Sequence, residues 1–225
     1  VDSQFRINPS DYKGKNGGII FPNPNAPTAI YMELDSVEDI IKSNQDSIVI
    51  VDEAYIDFGG QSAVKLIEKY DNLLVVQTYS KSRSMAGMRI GYAMGNERLI
   101  KALNDVKFSV NSYTMNATSL AYGAASMKDV DYFNETVNKI ISTRTRSEER
   151  LRELGFTFPE SKANFIFASH RSVPASVIFE ELKKRKIYVR YFNKPRIDNY
   201  LRITVGTDEQ MDKLFEALAE ITGDR

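Results

Sequence analysis

Lys81 is the residue whose surroundings most clearly indicate chemistry in this chain. It follows the apolar run Leu73–Val76, and the next residues include several serines, Gly87 and Arg89. A lysine amine can form a Schiff base with a carbonyl, and hydroxyls, backbone N–H groups and guanidinium groups are common donors to phosphate. The segment therefore predicts a site for a ligand that carries both an aldehyde and a phosphate. On this segment alone, a surface lysine in a serine-rich loop is an equal alternative.

Polar side chains also follow the two apolar runs that precede this one. Asp52 comes directly after Ser47–Val51, Tyr55 follows it closely, and Asn25 lies in the proline-rich segment after Gly18–Phe21. Open α/β sheets bind ligands beyond the carboxyl ends of their strands, so we expect these groups to converge with the lysine. Pyridoxal phosphate needs such a set, because lysine holds the aldehyde, an acid keeps the ring nitrogen protonated, and amide and phenol bind the ring oxygen.

The composition argues against several other classes of function. The 225 residues include 30 basic and 30 acidic ones without a long run of either sign, which favours a small-molecule partner over nucleic acid or a membrane. No leader or membrane-length apolar stretch is present, so we expect a cytoplasmic protein. Without cysteine, and with His170 as its single histidine, the chain has no thiolate and little means of building a zinc cluster or a Ser–His–Asp triad. No metal site is expected.

The order of the elements predicts an α/β fold in two domains. Residues 1–130 alternate apolar runs with helical patterns, which is typical of a mostly parallel sheet with crossover helices. We expect helices from Asp35 to Asn44, with a capping box of Asp35 and Glu38, and from Gln61 to Tyr70. The following strand, Arg89 to Met94, is predicted to continue the series of βαβ units. Residues 131–225 predict a small α+β domain that begins with a long helix.

Asp52 and Glu53 after an apolar strand also match the Walker B segment of an ATPase, in which the acid positions magnesium. That function requires a phosphate loop of the form G-x-x-x-x-G-K-[ST], which does not occur here. The ATPase hypothesis is therefore disfavoured.

With these motifs in this order, the chain resembles the fold-type I pyridoxal-phosphate aminotransferases, and among them the histidinol-phosphate aminotransferases, over essentially all of its length. The resemblance implies that Lys81 is the Schiff-base lysine, that Asp52 partners the pyridinium nitrogen, and that Tyr55 binds the ring oxygen. The further residues that it implies are Asn25, Thr78, Ser80 and Arg89 for the cofactor, and Arg202 and Arg190 for the substrate anion.

The same resemblance implies transamination between histidinol phosphate and 2-oxoglutarate, in histidine biosynthesis, by a cytoplasmic homodimer. Two departures stand out. Ala26 occupies a position where many relatives have a second asparagine, and the family's N-terminal segment has no match, so we expect the chain to be a fragment. Another aminotransferase, a phospho-amino-acid decarboxylase of the same family and a non-catalytic fragment are the alternatives.

Overall fold

The computed structural model describes residues 1–223 and contains two four-stranded sheets. The strands of the first sheet, in their spatial order, are β1 (Ile19–Pro22), β2 (Val49–Asp52), β3 (Leu73–Thr78) and β4 (Gly91–Gly95). The first three are parallel, which confirms the mostly parallel sheet, but β4 runs antiparallel to β3. The prediction of a further βαβ unit at β4 is wrong, because the loop holds only the 3₁₀ turn Ala86–Met88 and not a crossover helix.

Helix α1 (Leu34–Lys42) is the crossover between β1 and β2. It buries Val37, Ile40 and Ile41 against the sheet, at the spacing of three and four residues that places side chains on one helical face. The predicted capping box does not form, because Asp35 lies inside the helix and Glu33 occupies the N-cap without a side-chain hydrogen bond. A short helix thus relies on its buried face and not on its cap.

The predicted helix from Gln61 to Tyr70 is instead the 3₁₀ turn Ala63–Leu66. Glu53, at the end of β2, explains the difference. Its carboxylate accepts hydrogen bonds from the Ser62 hydroxyl at 2.6 Å and the Ala63 backbone N–H at 2.6 Å. These two bonds fix the start of the segment against the sheet, so tertiary contacts decide its conformation there.

Three helices follow the first sheet: α2 (Glu97–Val110), α3 (Ala117–Lys128) and α4 (Val130–Glu153). The prediction of a long helix from Asp131 is confirmed to within one residue at its start. Helix α2 buries none of its residues, and its Val106, Phe108 and Val110 are 63%, 62% and 81% exposed. An apolar face of the molecule is therefore open on this side.

The second sheet is antiparallel and confirms the α+β character of the C-terminal part. Its strands, in spatial order, are β5 (Phe156–Thr157), β6 (Phe165–His170), β8 (Leu201–Thr204) and β7 (Arg190–Tyr191). Helices α5 (Ala175–Lys184) and α6 (Asp208–Thr222) bury Ile178, Leu182 and Leu214 in one core with Leu151 of α4. Within residues 1–223, no helix is both long and apolar enough to cross a membrane.

Candidate active site

The parallel strands of the first sheet end side by side and bring the predicted polar residues to one edge. Pro22 at the end of β1 pairs with Asp52 at the end of β2, which in turn pairs with Val76 of β3. The Asp52 carboxylate accepts a hydrogen bond from the Ala54 backbone N–H at 3.0 Å, which fixes the turn that leads to Tyr55. The acid and the loop after β3 therefore lie beyond the same edge of the sheet.

Lys81 lies against an aromatic ring. Its Nζ is 5.3 Å from the centroid of the Tyr55 ring, and that ring meets Phe165 of β6 edge to face, with centroids 5.1 Å apart. No carboxylate among residues 1–223 forms an ion pair with the lysine, so within that part of the chain its charge meets a π face and not an acid. The amine is thus available to a ligand.

The loop that carries Lys81 is anchored by its next residue. Ser82 is 3% exposed and donates a hydrogen bond from its hydroxyl to the Asp57 carboxylate at 2.5 Å. Asp57 lies in the 3₁₀ turn Ile56–Phe58, directly after Tyr55. The Ser82–Asp57 hydrogen bond therefore fixes the loop of the lysine relative to the turn of the phenol.

Two hydroxyl groups lie together at the end of β3. Thr78 Oγ1 is 2.9 Å from Ser80 Oγ and accepts a hydrogen bond from the Ser80 backbone N–H at 3.1 Å. Arg89 is exposed, adopts a left-handed conformation with φ 55°, and donates from Nη1 to the Ala86 carbonyl at 2.8 Å. A Cβ added at Gly87 would have no atom within 4 Å, so the backbone here is open to approach. The hydroxyls of Thr78 and Ser80 are therefore paired with each other, whereas the Arg89 guanidinium binds a carbonyl of its own loop.

Asn25 lies in a tight turn next to this site. Its side-chain amide donates to Thr28 Oγ1 at 2.6 Å, and its backbone carbonyl accepts from the Ala29 backbone N–H at 2.8 Å. The neighbouring Ala26 packs in the same small cluster as Tyr55. The packing of Ala26 therefore places the turn beside Tyr55, while the Asn25 amide is hydrogen-bonded to Thr28 within the turn.

Two arginines face each other across the strands of the second sheet. Arg202 of β8 pairs with Arg190 of β7, and their guanidinium carbons lie 5.8 and 5.4 Å from the centroid of the Phe192 ring. Arg202 also lies 5.0 Å from the centroid of the Phe165 ring. Among residues 1–223 neither arginine forms an ion pair, and the buried Nε of Arg202 has no hydrogen-bond partner. Two neighbouring guanidinium groups without an acid are suited to an external anion.

Sequence reasoning left Phe165 unnamed and considered Glu53 only in the disfavoured ATPase hypothesis. Phe165 contacts both Tyr55 and Arg202, and so joins the two sheets. Glu53 is 2% exposed and accepts a hydrogen bond from Gln77 at 2.8 Å, besides its two bonds to residues 62 and 63; burial raises the pKa of this carboxyl group. The position of Glu53 beside Asp52 was a usable signal, whereas a phenylalanine in an apolar run looks like any core residue.

Two cavities open on the molecule, one of them beside the loop that follows Lys81. A cavity of about 780 Å³ is lined by segments 3–7, 30–36 and 157–162, and one of about 290 Å³ by segment 82–85 and helices α3 and α4. Neither is lined by Lys81 or Arg202. No group of three or more His, Cys, Asp or Glu side chains in residues 1–223 could hold a metal ion. The candidate site is thus an open edge between two sheets.

Comparison with known sequences identifies the family. Residues 5–218 match the model of the family "Aminotransferase class I and II". The histidinol-phosphate aminotransferase of Brachyspira hyodysenteriae is 52% identical over 222 residues, which cover 98% of this chain and 63% of the relative. That of Clostridium beijerinckii is 51% identical over 218 residues, which cover 97% of this chain and 61% of the relative. The chain therefore spans less than two thirds of the length of these curated relatives.

Solved structures share the fold. The histidinol-phosphate aminotransferase from Clostridium acetobutylicum superposes with a TM-score of 0.90 at 24% identity, over 100% of this chain and 70% of that one. The enzyme from Sinorhizobium meliloti in complex with pyridoxal-5'-phosphate gives 0.82 at 23% identity, over 92% and 57%. At such identities the likeness concerns the fold alone. The match over residues 5–218 and the relatives with about half of their residues identical show that the chain belongs to the class I and II aminotransferases.

Proposed function

We propose that this chain carries the Lys81 site of an aminotransferase that uses pyridoxal phosphate to move an amino group between histidinol phosphate and 2-oxoglutarate. One observation supports this most strongly. Lys81, Tyr55, Phe165 and Arg202 form a continuous row of contacts, each 5.0 to 5.3 Å from group to ring, that leads from an amine to an anion-binding guanidinium. Relatives named histidinol-phosphate aminotransferase at about 50% identity support the substrate.

The side chains present fit the cofactor of this family, pyridoxal phosphate. Lys81 and Arg89 have no ion pair among residues 1–223, and a hydroxyl pair lies beside them. Open space at Gly87 leaves room for an anion near the backbone. Amine, hydroxyl, guanidinium and free backbone together match an aldehyde and a phosphate on one ligand. When bound, the cofactor supplies the reactive aldehyde and a ring that withdraws electrons.

Each side chain then has a defined task. Lys81 would hold the aldehyde carbon, and its freed amine would take the proton from the substrate carbon and deliver it to the carbon that had been the aldehyde's. Asp52 would hold the ring nitrogen in its protonated form, and Tyr55 would donate a hydrogen bond to the ring oxygen. The phosphate contacts are assigned to Thr78, Ser80 and Arg89, and a further ring contact to Asn25.

The arginines are assigned to the substrate. Arg202 would bind a substrate carboxylate as a planar fork, and Arg190 would add a second positive charge on the adjacent strand. Phe165 and Phe192 hold these guanidinium groups without neutralising them. Both proposed substrates are anionic, so the charge of this part of the site suits either of them.

We further propose two domains, 1–130 and 131–225, in a cytoplasmic homodimer. Separate hydrophobic cores on either side of residue 130 support the division. The open apolar face of α2, with Phe108 62% exposed, supports burial against another copy. Sedimentation equilibrium of the purified chain tests the assembly, and cell fractionation tests the compartment.

The first test is a visible absorption spectrum after incubation with pyridoxal phosphate and removal of the excess, followed by borohydride reduction and mass mapping. We expect a yellow protein that is labelled at Lys81 and turns over histidinol phosphate with 2-oxoglutarate. Lys81→Ala should lose both label and turnover, whereas Lys65→Ala, at an exposed position, should keep both. An unlabelled and colourless wild-type chain would overturn the proposal and favour a non-catalytic fragment.

A further inference from the structure

Arg144 of α4 is a buried cation that the proposed reaction does not use directly. It is 6% exposed, and its Nη1 donates hydrogen bonds to the Phe58 carbonyl at 2.9 Å and the Ala163 carbonyl at 2.7 Å. It forms no ion pair among residues 1–223, and burial lowers the pKa of its guanidinium, with Glu148 and Glu160 acting in the opposite direction. Burying a charge costs desolvation free energy, which the hydrogen bonds of the guanidinium must offset.

The two carbonyls belong to different parts of the molecule, and each lies next to a ring of the candidate site. Phe58 ends the turn that starts at Tyr55, and its backbone N–H donates to the Tyr55 carbonyl at 3.2 Å. Ala163 precedes β6 and packs in one cluster with Phe165 and Tyr55. One guanidinium therefore ties together the two backbone segments whose rings meet edge to face.

The turn that holds the Phe58 carbonyl ends at Gly59, beside this side chain. That residue has φ 122°, a conformation that other residues rarely adopt, whereas a Cβ there would make only ordinary contacts, 3.8 Å from Arg144 Nη2 and 3.4 Å from Lys162 Cδ. The backbone angle, and not a lack of space, therefore calls for glycine at this end of the turn. The planar shape of arginine suits a narrow space between two carbonyls better than the compact ammonium of lysine.

We propose that Arg144 is a positioning residue for the Lys81 site, which it serves by holding the Tyr55 turn and the Phe165 strand at a fixed separation. This inference rests on the proposed function. Arg144 acts through the two rings. The Tyr55 ring contacts the Lys81 amine, and the Phe165 ring contacts the Arg202 guanidinium. A shift of about 1 Å in a positioning group remote from the chemistry can reduce turnover about 100-fold.

The test compares Arg144→Lys with Arg146→Lys. Arg146 lies two positions further along α4, is exposed and forms ion pairs with Asp208 and Asp212, so its variant is a matched control. We expect Arg144→Lys to lower kcat/KM for transamination about 10- to 100-fold and to speed hydrogen–deuterium exchange within segments 56–60 and 163–165 of the cofactor-free chain. Arg146→Lys should change neither. Exchange that rises uniformly along the chain would indicate a general loss of stability and would overturn the proposal.

A double-variant cycle with Phe165→Leu provides the second readout. If Arg144 acts through that ring, the losses of kcat/KM in Arg144→Lys and Phe165→Leu will not add in the double variant. Additive losses, or an Arg144→Lys chain with unchanged exchange and unchanged kcat/KM, would overturn the positioning role alone. Failure of the unsubstituted chain to retain pyridoxal phosphate would overturn the proposed function itself and the inference with it. This outcome is distinguishable because it is measured on the unsubstituted chain and not on an Arg144 variant.

Discussion

Arg202 illustrates how single residues prepare the candidate site. Its guanidinium carbon lies 5.0 Å from the Phe165 ring centroid and 5.8 Å from that of Phe192, so aromatic faces and not carboxylates hold it in place. Stacking restricts the side chain while leaving most of its hydrogen-bond donors free. The arginine could therefore bind an anion without first having to break an ion pair.

This arrangement gives a prediction for the two arginines. Arg202→Lys removes the planar fork and its stacking, so we expect the KM for 2-oxoglutarate to rise about 10- to 100-fold, as for the loss of a strong charge-assisted hydrogen bond. Arg190→Lys should raise it less, because Arg190 is exposed and lies against the ring of Phe192. Steady-state kinetics with each substrate varied in turn measures the effect. An unchanged KM in Arg202→Lys would assign the carboxylate to another residue.

At the scale of elements, helix ends in this chain are stabilised in different ways. Helix α6 begins with a complete capping box, in which the Gln210 backbone N–H donates to Thr207 Oγ1 at 3.4 Å and the Thr207 N–H donates to Gln210 Oε1 at 3.0 Å. Helix α1 has no side-chain cap and depends on its buried face. The cap of α6 therefore contributes a separable part of the stability of the second core.

We expect Thr207→Ala to lower the free energy of unfolding by about 1 kcal/mol, the typical cost of losing an N-cap hydroxyl. Thr207→Ser keeps an oxygen at the same place and is the matched control, with a change of a few tenths of a kcal/mol at most. Urea denaturation followed by far-ultraviolet circular dichroism measures both. Equal losses in the two variants would show that the threonine methyl group matters more than the cap.

The elements also show how far sequence patterns reach. The start of α4 could be predicted from the long amphipathic pattern that begins at Asp131, and in the structure Asp129 caps this helix by accepting a hydrogen bond from the Tyr132 N–H. The direction of β4 could not, since it depends on whether the Lys81 loop forms a helix or a turn. The segment from Gln61 to Tyr70 has a helical pattern, but the buried Glu53 binds its first residues and imposes 3₁₀ turns. Tertiary hydrogen bonds of this kind leave no periodic signal.

The same distinction applies to the candidate site as a whole. Lys81 and Tyr55 could be predicted to lie together, because the ends of neighbouring parallel strands share one edge. The contact of Tyr55 with Phe165 joins two sheets, and nothing in the local sequence of either residue indicates it. The role of Arg144 is hidden for the same reason, since an arginine on a charged helix looks like a surface residue until its burial is known.

At the scale of the whole molecule, the buried Glu53 and the partly buried Glu148 link stability to pH. Burial is the main cause that raises the pKa of Glu53 and of Glu148. A carboxyl group whose pKa is higher in the folded state binds its proton more tightly there than in the unfolded chain. Its contribution to stability is complete below the unfolded pKa of about 4.3 and is lost as pH rises through the folded pKa.

As pH rises above about 4.3, we therefore expect wild type to lose free energy of unfolding relative to Glu148→Gln, because the glutamine does not titrate. Glu149→Gln, at the next and exposed position of α4, is the matched control for replacing a glutamate by glutamine there. Urea denaturation from pH 4 to about pH 8 gives the curves. A parallel course for Glu148→Gln and wild type would show that this carboxyl group titrates alike in both states.

The row from Lys81 to Arg202 also imposes an order on how the site is made during translation. The strand that ends at Asp52 and the one before Lys81 leave the ribosome earlier than α4, β6 and β8. Because domains fold as units and in the order of their synthesis, the amine end of the row can be built before its guanidinium end exists. A nascent chain halted within α4 would then present the lysine and the acid without the arginine that is proposed to bind a carboxylate. The proposed anion-binding end of the row is thus completed after its amine end.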